Sequence, residues 1–176
     1  MSQNDSYGEK ISLEQFIDAR ESATGERLAL VIGGESPDFD CRRPNGDIVG
    51  VEFTQILHDV HSFEIKRVLK EDYEMDNFGV FEAAYHAVSK KEEKRKKPHW
   101  RRPESTILVL DMMEVTRIHP WPEEPEELFD EHGFLEIWLA DHSTISPHYY
   151  ISLFGLYPPS IWGLNGQDYL FGKPYG

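Results

Sequence analysis

The chain has 176 residues, with 32 Asp and Glu against 18 Lys and Arg, a net charge of −14 and a pI near 4.9. Its composition, 39% hydrophobic and 28% charged, excludes a disordered chain, and no apolar run is long enough to span a bilayer. The acid excess excludes a uniformly basic surface for polyanions, and a single cysteine, Cys41, excludes an internal disulfide and fits a reducing, cytoplasmic setting.

Residues 1–11 are polar, lack a basic and apolar leader, and read as a flexible lead-in with no secretory signal. Ser12, with Gln15 three positions on, reads as a capping box. Leu13, Phe16, Ile17 and Arg20 then follow helical spacing, and Gly25 is the stop. Residues 28–32, closed by Gly33 and Gly34, predict a strand buried on both faces. Between Pro37 and Ile56, two short runs flank Pro44, Asn45 and Gly46, which predicts a hairpin. A three-residue loop with Gly46 left-handed pairs 41 with 49, 39 with 51 and 38 with 52. That register keeps Cys41, Val49, Phe39 and Val51 on one apolar face, whereas a two-residue loop mixes the faces. Helices are expected over 61–74 and from about 78 to Pro98, a buried strand over 106–110, and strands over 134–140 and 149–154. Residues 12–176 show no repeat or linker and predict a single α/β domain, a mixed sheet flanked by helices.

The preferred register sets Asp38 opposite Glu52. Facing carboxylates repel on a sheet, so such a pair either splays into water or holds a hard cation between its oxygens. Pro37-Asp38 followed by Gly50-Val51-Glu52-Phe53-Thr54 resembles the PD-(D/E)XK nuclease superfamily, the restriction-endonuclease-like fold. Its core runs helix, three strands, helix, strand (αβββαβ), an order that residues 12–112 match, with further strands C-terminal to it. The resemblance implies Mg²⁺- or Mn²⁺-dependent hydrolysis of phosphodiesters, with Asp38 and Glu52 as metal ligands, the Phe53 carbonyl as a third, and Asp40 and a carboxylate of the first helix, Glu21 or Glu14, as further ones. It also implies a lysine where Thr54 stands. Lys66, on the helix expected after the third strand, is the first candidate to replace it.

Residues 89–103 hold eight of the 18 basic residues and two acidic ones, a local charge of +6. Lys94, Arg95, Lys96, Lys97, Arg101 and Arg102 supply charge and Trp100 a stacking face, which suits DNA or RNA; the alternative is a solvated helix end. Residues 123–131 carry six carboxylates, a surface that suits a basic protein partner or docking on the basic segment, and a homodimer stays open. An acidic interaction module without chemistry, and a nuclease fold that only binds nucleic acid, are the competing readings. His58, His61 and Glu64 lack the spacing of a helical zinc site. Cys41 falls on the apolar face and reads as core.

Overall fold

The computed structural model describes residues 3–56, 77–112, 132–142 and 151–166. The expected helix over 61–74, with Lys66, His58 and His61, and the acidic stretch 123–131 lie outside the described residues.

The chain forms an α/β domain around one mixed sheet. Helix α1 (Gln3–Thr24) precedes β1 (Ala29–Gly33), β2 (Phe39–Arg42) and β3 (Ile48–Gln55); α2 (Asn77–Arg95) leads to β4 (Thr106–Met112), β5 (Glu136–Asp141), β6 (Ser152–Tyr157) and the two-residue β7 (Asn165–Gly166). The strands lie side by side in chain order. The β1–β2–β3 meander is antiparallel, β3–β4–β5 is parallel, and β6 and β7 return antiparallel. A parallel neighbour needs a long crossover, and α2 lies on the one joining β3 to β4.

Side chains alternate across β3, so its two faces meet different helices. On one, Val49 and Val51 join Ile107, Val109 and Trp138 beneath Leu13, Phe16 and Ile17 of α1. On the other, Ile56 joins Leu108, Leu110, Met112 and Leu139 beneath Ala84 and Val88 of α2. The β2–β3 register pairs Phe39 with Val51, Asp40 with Gly50 and Cys41 with Val49, as the three-residue loop requires. Gly46 has φ 95° and its N–H donates to the Arg43 carbonyl at 2.9 Å. Gly25, at φ 74°, ends α1.

Three elements differ from expectation. Helix α1 begins at Gln3 rather than after Ser12, so Ser12 is not its cap. Once Leu13, Phe16 and Ile17 anchor a turn to the sheet, each further residue adds a bond at little cost, and nothing between 3 and 12 is a proline. Strand β1 is exposed at all five positions, not buried on both faces, because it starts the sheet and pairs with β2 alone among the described residues. An apolar run between turn signals does not distinguish an edge from a centre. Strand β6 begins at Ser152, three residues later than expected.

Candidate active site

Pro37 packs over Gly50, where an added Cβ would lie 2.4 Å from the Pro37 ring. The missing side chain lets the segment before β2 close on β3 and sets Asp38 against Glu52. The Asp38 N–H donates to Glu52 Oε2 at 3.1 Å, and the Phe53 N–H donates to Asp38 Oδ2 at 2.8 Å. Each acid thus bonds the main chain of the other's strand.

Glu52 is 4% exposed. The Lys91 ammonium, from α2, pairs with its Oε1 and donates to the Phe53 carbonyl at 3.3 Å. An ionised carboxylate offers about four acceptor positions; among the described residues Glu52 fills two, with the Asp38 N–H and Lys91. A buried carboxylate that is half engaged attracts a further donor or a cation.

Lys91 is the residue missed by sequence reasoning. It follows Ala84 by seven positions and Val88 by three, and both face the sheet. A lysine at core-facing spacing was the available signal. Within the 89–103 run its charge is one of eight and does not stand out.

The other expected site residues disperse. Asp40, 5% exposed, accepts from Arg102 Nε at 3.0 Å and from Arg101 and Arg102 Nη atoms at 3.4 Å. Its carboxylate is thereby engaged by two guanidiniums rather than directed at Glu52. Glu21 pairs with Arg27 near the end of α1, the helix on the opposite face of the sheet from Glu52. Thr54 is half-buried on the Glu52 face and lines a cleft beside α2.

The basic segment is divided in use. Trp100 is not a stacking face: it is buried in the core, and its indole N–H donates to Thr106 Oγ1 at 3.1 Å. Turn bonds from Lys97 to the Lys94 carbonyl and from Trp100 to the Lys97 carbonyl fold it inward after α2. Arg95 is buried against Glu92 through two bonds of 2.7 and 2.8 Å. Arg101 braces the site from behind: its main-chain N–H donates to the Ser36 carbonyl at 3.0 Å and its guanidinium to the Pro37 carbonyl at 3.1 Å. Lys94, Lys96 and Lys97 remain exposed. Burial, and next the Asp40 charge, push the Cys41 thiol up to about 12, so it is no nucleophile at neutral pH.

Among the described residues no group of three or more His, Cys, Asp or Glu side chains gathers as a metal cage. Asp38, Glu52 and the Phe53 carbonyl nevertheless form a set of hard oxygens. Part of that set, the Glu52 carboxylate with the Phe53 carbonyl, already holds one cation, the Lys91 ammonium. Mg²⁺ commonly binds through one or two carboxylates and keeps several waters, so this set suits it. Comparison with protein-family models, with curated proteins and with solved structures finds no match.

Proposed function

We propose that the chain is a Mg²⁺- or Mn²⁺-dependent nuclease of the PD-(D/E)XK kind, with Asp38 and Glu52 as metal ligands and Lys91 in the role of the motif lysine. The observation that carries this reading is the convergence of three groups from three elements. Asp38 precedes β2, Glu52 lies on β3, and Lys91 reaches Glu52 from α2. Thr54 leaves no cation on β3, and Lys91 supplies one to the same carboxylate.

Asp38, Glu52 and the Phe53 carbonyl would hold the metal, which would supply Lewis acidity and an activated water. The protein's own groups do the rest. The Asp38–Glu52 main-chain bonds hold both carboxylates in fixed positions before substrate arrives. The Lys91 ammonium offers three rotatable donors, enough to hold Glu52 while directing another at a phosphate oxygen that gains charge in the transition state. The wall of Leu108 and Ile56 on this face keeps the local dielectric low, which strengthens each contact.

The test is incubation of plasmid, single-stranded DNA and RNA with the purified chain and Mg²⁺ or Mn²⁺. The expected result is cleavage that EDTA abolishes, that Glu52→Gln and Asp38→Asn remove, and that Lys91→Met lowers by about 10²–10³-fold. Cleavage unchanged in all three variants, or none with any substrate, overturns the reading.

A further inference from the structure

A cleft of about 110 Å³ lies beside Glu52, between the end of β3 and one side of α2. His86, Lys90, Lys91 and Lys94 of α2 line it; His86, Lys90 and Lys94 recur at a spacing of four, and Lys91 stands beside them, three before Lys94. Thr54 and Gln55 of β3 add a hydroxyl and an amide. Among the described residues no carboxylate lines it, although the chain as a whole carries −14.

We propose that this cleft binds the terminal phosphate of a nucleic-acid strand. Charge selects the ligand class: with Lys91 paired to Glu52, the Lys90 and Lys94 ammonium groups and the His86 imidazole around one space favour an anion. The space of about 110 Å³ has room for a phosphoryl group. Valence selects the kind of phosphate. A monoester carries about −1.5 to −2 at neutral pH, against a single charge for a diester within the strand, so a cationic seat prefers the chain end.

Lys91 of this set is committed to Glu52, and neighbouring basic residues are committed to other carboxylates. Arg95 and Lys96 both turn to Glu92, and Arg101 and Arg102 to Asp40. His86 and Lys94 have no ion-pair partner among the described residues and are exposed. Lys91 borders both the cleft and Glu52, so a phosphate seated there lies next to the proposed hydrolytic site. In relation to cleavage the inference rests on that reading, and it implies action near a strand end.

The binding test uses the full chain in EDTA, so that it does not depend on hydrolysis. Fluorescence anisotropy compares short single strands that carry a 5′-phosphate, a 3′-phosphate or hydroxyls at both ends, with inorganic phosphate as competitor. One phosphorylated end should bind about tenfold more tightly than the hydroxyl strand, a difference of about 1.4 kcal/mol, and inorganic phosphate should erase that difference. His86→Ala with Lys94→Ala should remove the end preference while leaving thermal stability unchanged, since both side chains are exposed. Equal affinity for all three strands, or an end preference that survives the double variant, overturns the proposal. The Mg²⁺ cleavage assay on the unaltered chain, run beside the binding assay, keeps the two readings apart: end preference without any cleavage refutes the nuclease and leaves the cleft standing, and cleavage without end preference does the reverse.

Discussion

Glu136 and Glu52 are both buried on one sheet, with 9% and 5% of their side chains exposed, but on opposite faces. Glu136, on β5, faces α1. Its Oε2 accepts from Arg20 Nε at 2.9 Å and Trp138 Nε1 at 2.7 Å, and its Oε1 from Arg20 and Arg43 Nη2 at 2.8 and 2.6 Å. Four donors fill the four positions a carboxylate offers. Arg20 also bonds Glu26, so the network closes on itself and ties α1, the hairpin and β5 together. Glu52 faces α2, fills two positions, and adjoins a cleft. The contrast separates two uses of a buried charge. One is saturated and serves the fold; the other keeps acceptor capacity beside an opening.

The largest expected effect lies on the saturated side. Burial raises the Glu136 carboxyl, but the Arg20 bonds and charge, with Trp138 and Arg43, outweigh it and hold the group below the usual range. Arg20→Ala removes two of the four donors and strands a buried charge. Breaking such a pair costs about 3–5 kcal/mol, which for a chain of this length lowers Tm by on the order of 10 °C. Differential scanning calorimetry at pH 7 checks it. A loss below about 1 kcal/mol would show that α1 is not held by this network.

An intermediate effect is expected at Glu92, which pairs with Arg95 on α2 and ties the helix to the loop before β5 through the Gly133 N–H. Burial raises its carboxyl, yet the Arg95 bond, the Gly133 N–H and Lys96 together bring it from 4.5 down to about 2. A lowered folded value means stability that is present above the unfolded value and lost as pH falls from about 4.5 through about 2. Glu92→Gln should therefore cost on the order of 2–3 kcal/mol at pH 7 and almost nothing at pH 2. Urea unfolding across that range measures the convergence. A constant difference at every pH would assign the loss to packing instead.

The sequence made these regions legible to different depths. Periodicity and turn chemistry are local, so the hairpin register, the Gly46 turn, the Gly25 stop and the strand at 106–110 could be read from neighbours alone. The Asp38–Glu52 pairing followed from that register. What could not be read were contacts between residues far apart in the chain. Glu136 gave no sign of Arg20, 116 residues away, nor Glu52 of Lys91, 39 residues away. Trp100 looked like part of a basic surface because charge surrounds it in the chain, while the turns after α2 fold its ring into the core. Charge runs predict exposure on average and fail where a helix ends and the backbone reverses. The edge position of β1 was hidden for a similar reason, since sheet order is a property of the whole topology.

The smallest expected effect is at Glu52 itself, and it is the one that decides the comparison. Glu52→Gln keeps an oxygen for the Asp38 N–H and nearly the same volume. Lys91 loses its counter-charge, but its side chain is 15% exposed and borders the cleft, so its flexible stem can carry the ammonium to water. The substitution also removes the cost of a buried charge that only two donors offset. These terms oppose one another, so stability should change by less than about 1 kcal/mol in either direction. A residue that matters for chemistry and not for the fold should show this signature, with cleavage abolished and Tm held. A loss comparable to that of Arg20→Ala would make Glu52 a strut like Glu136, and its unfilled acceptor positions would no longer argue for a metal.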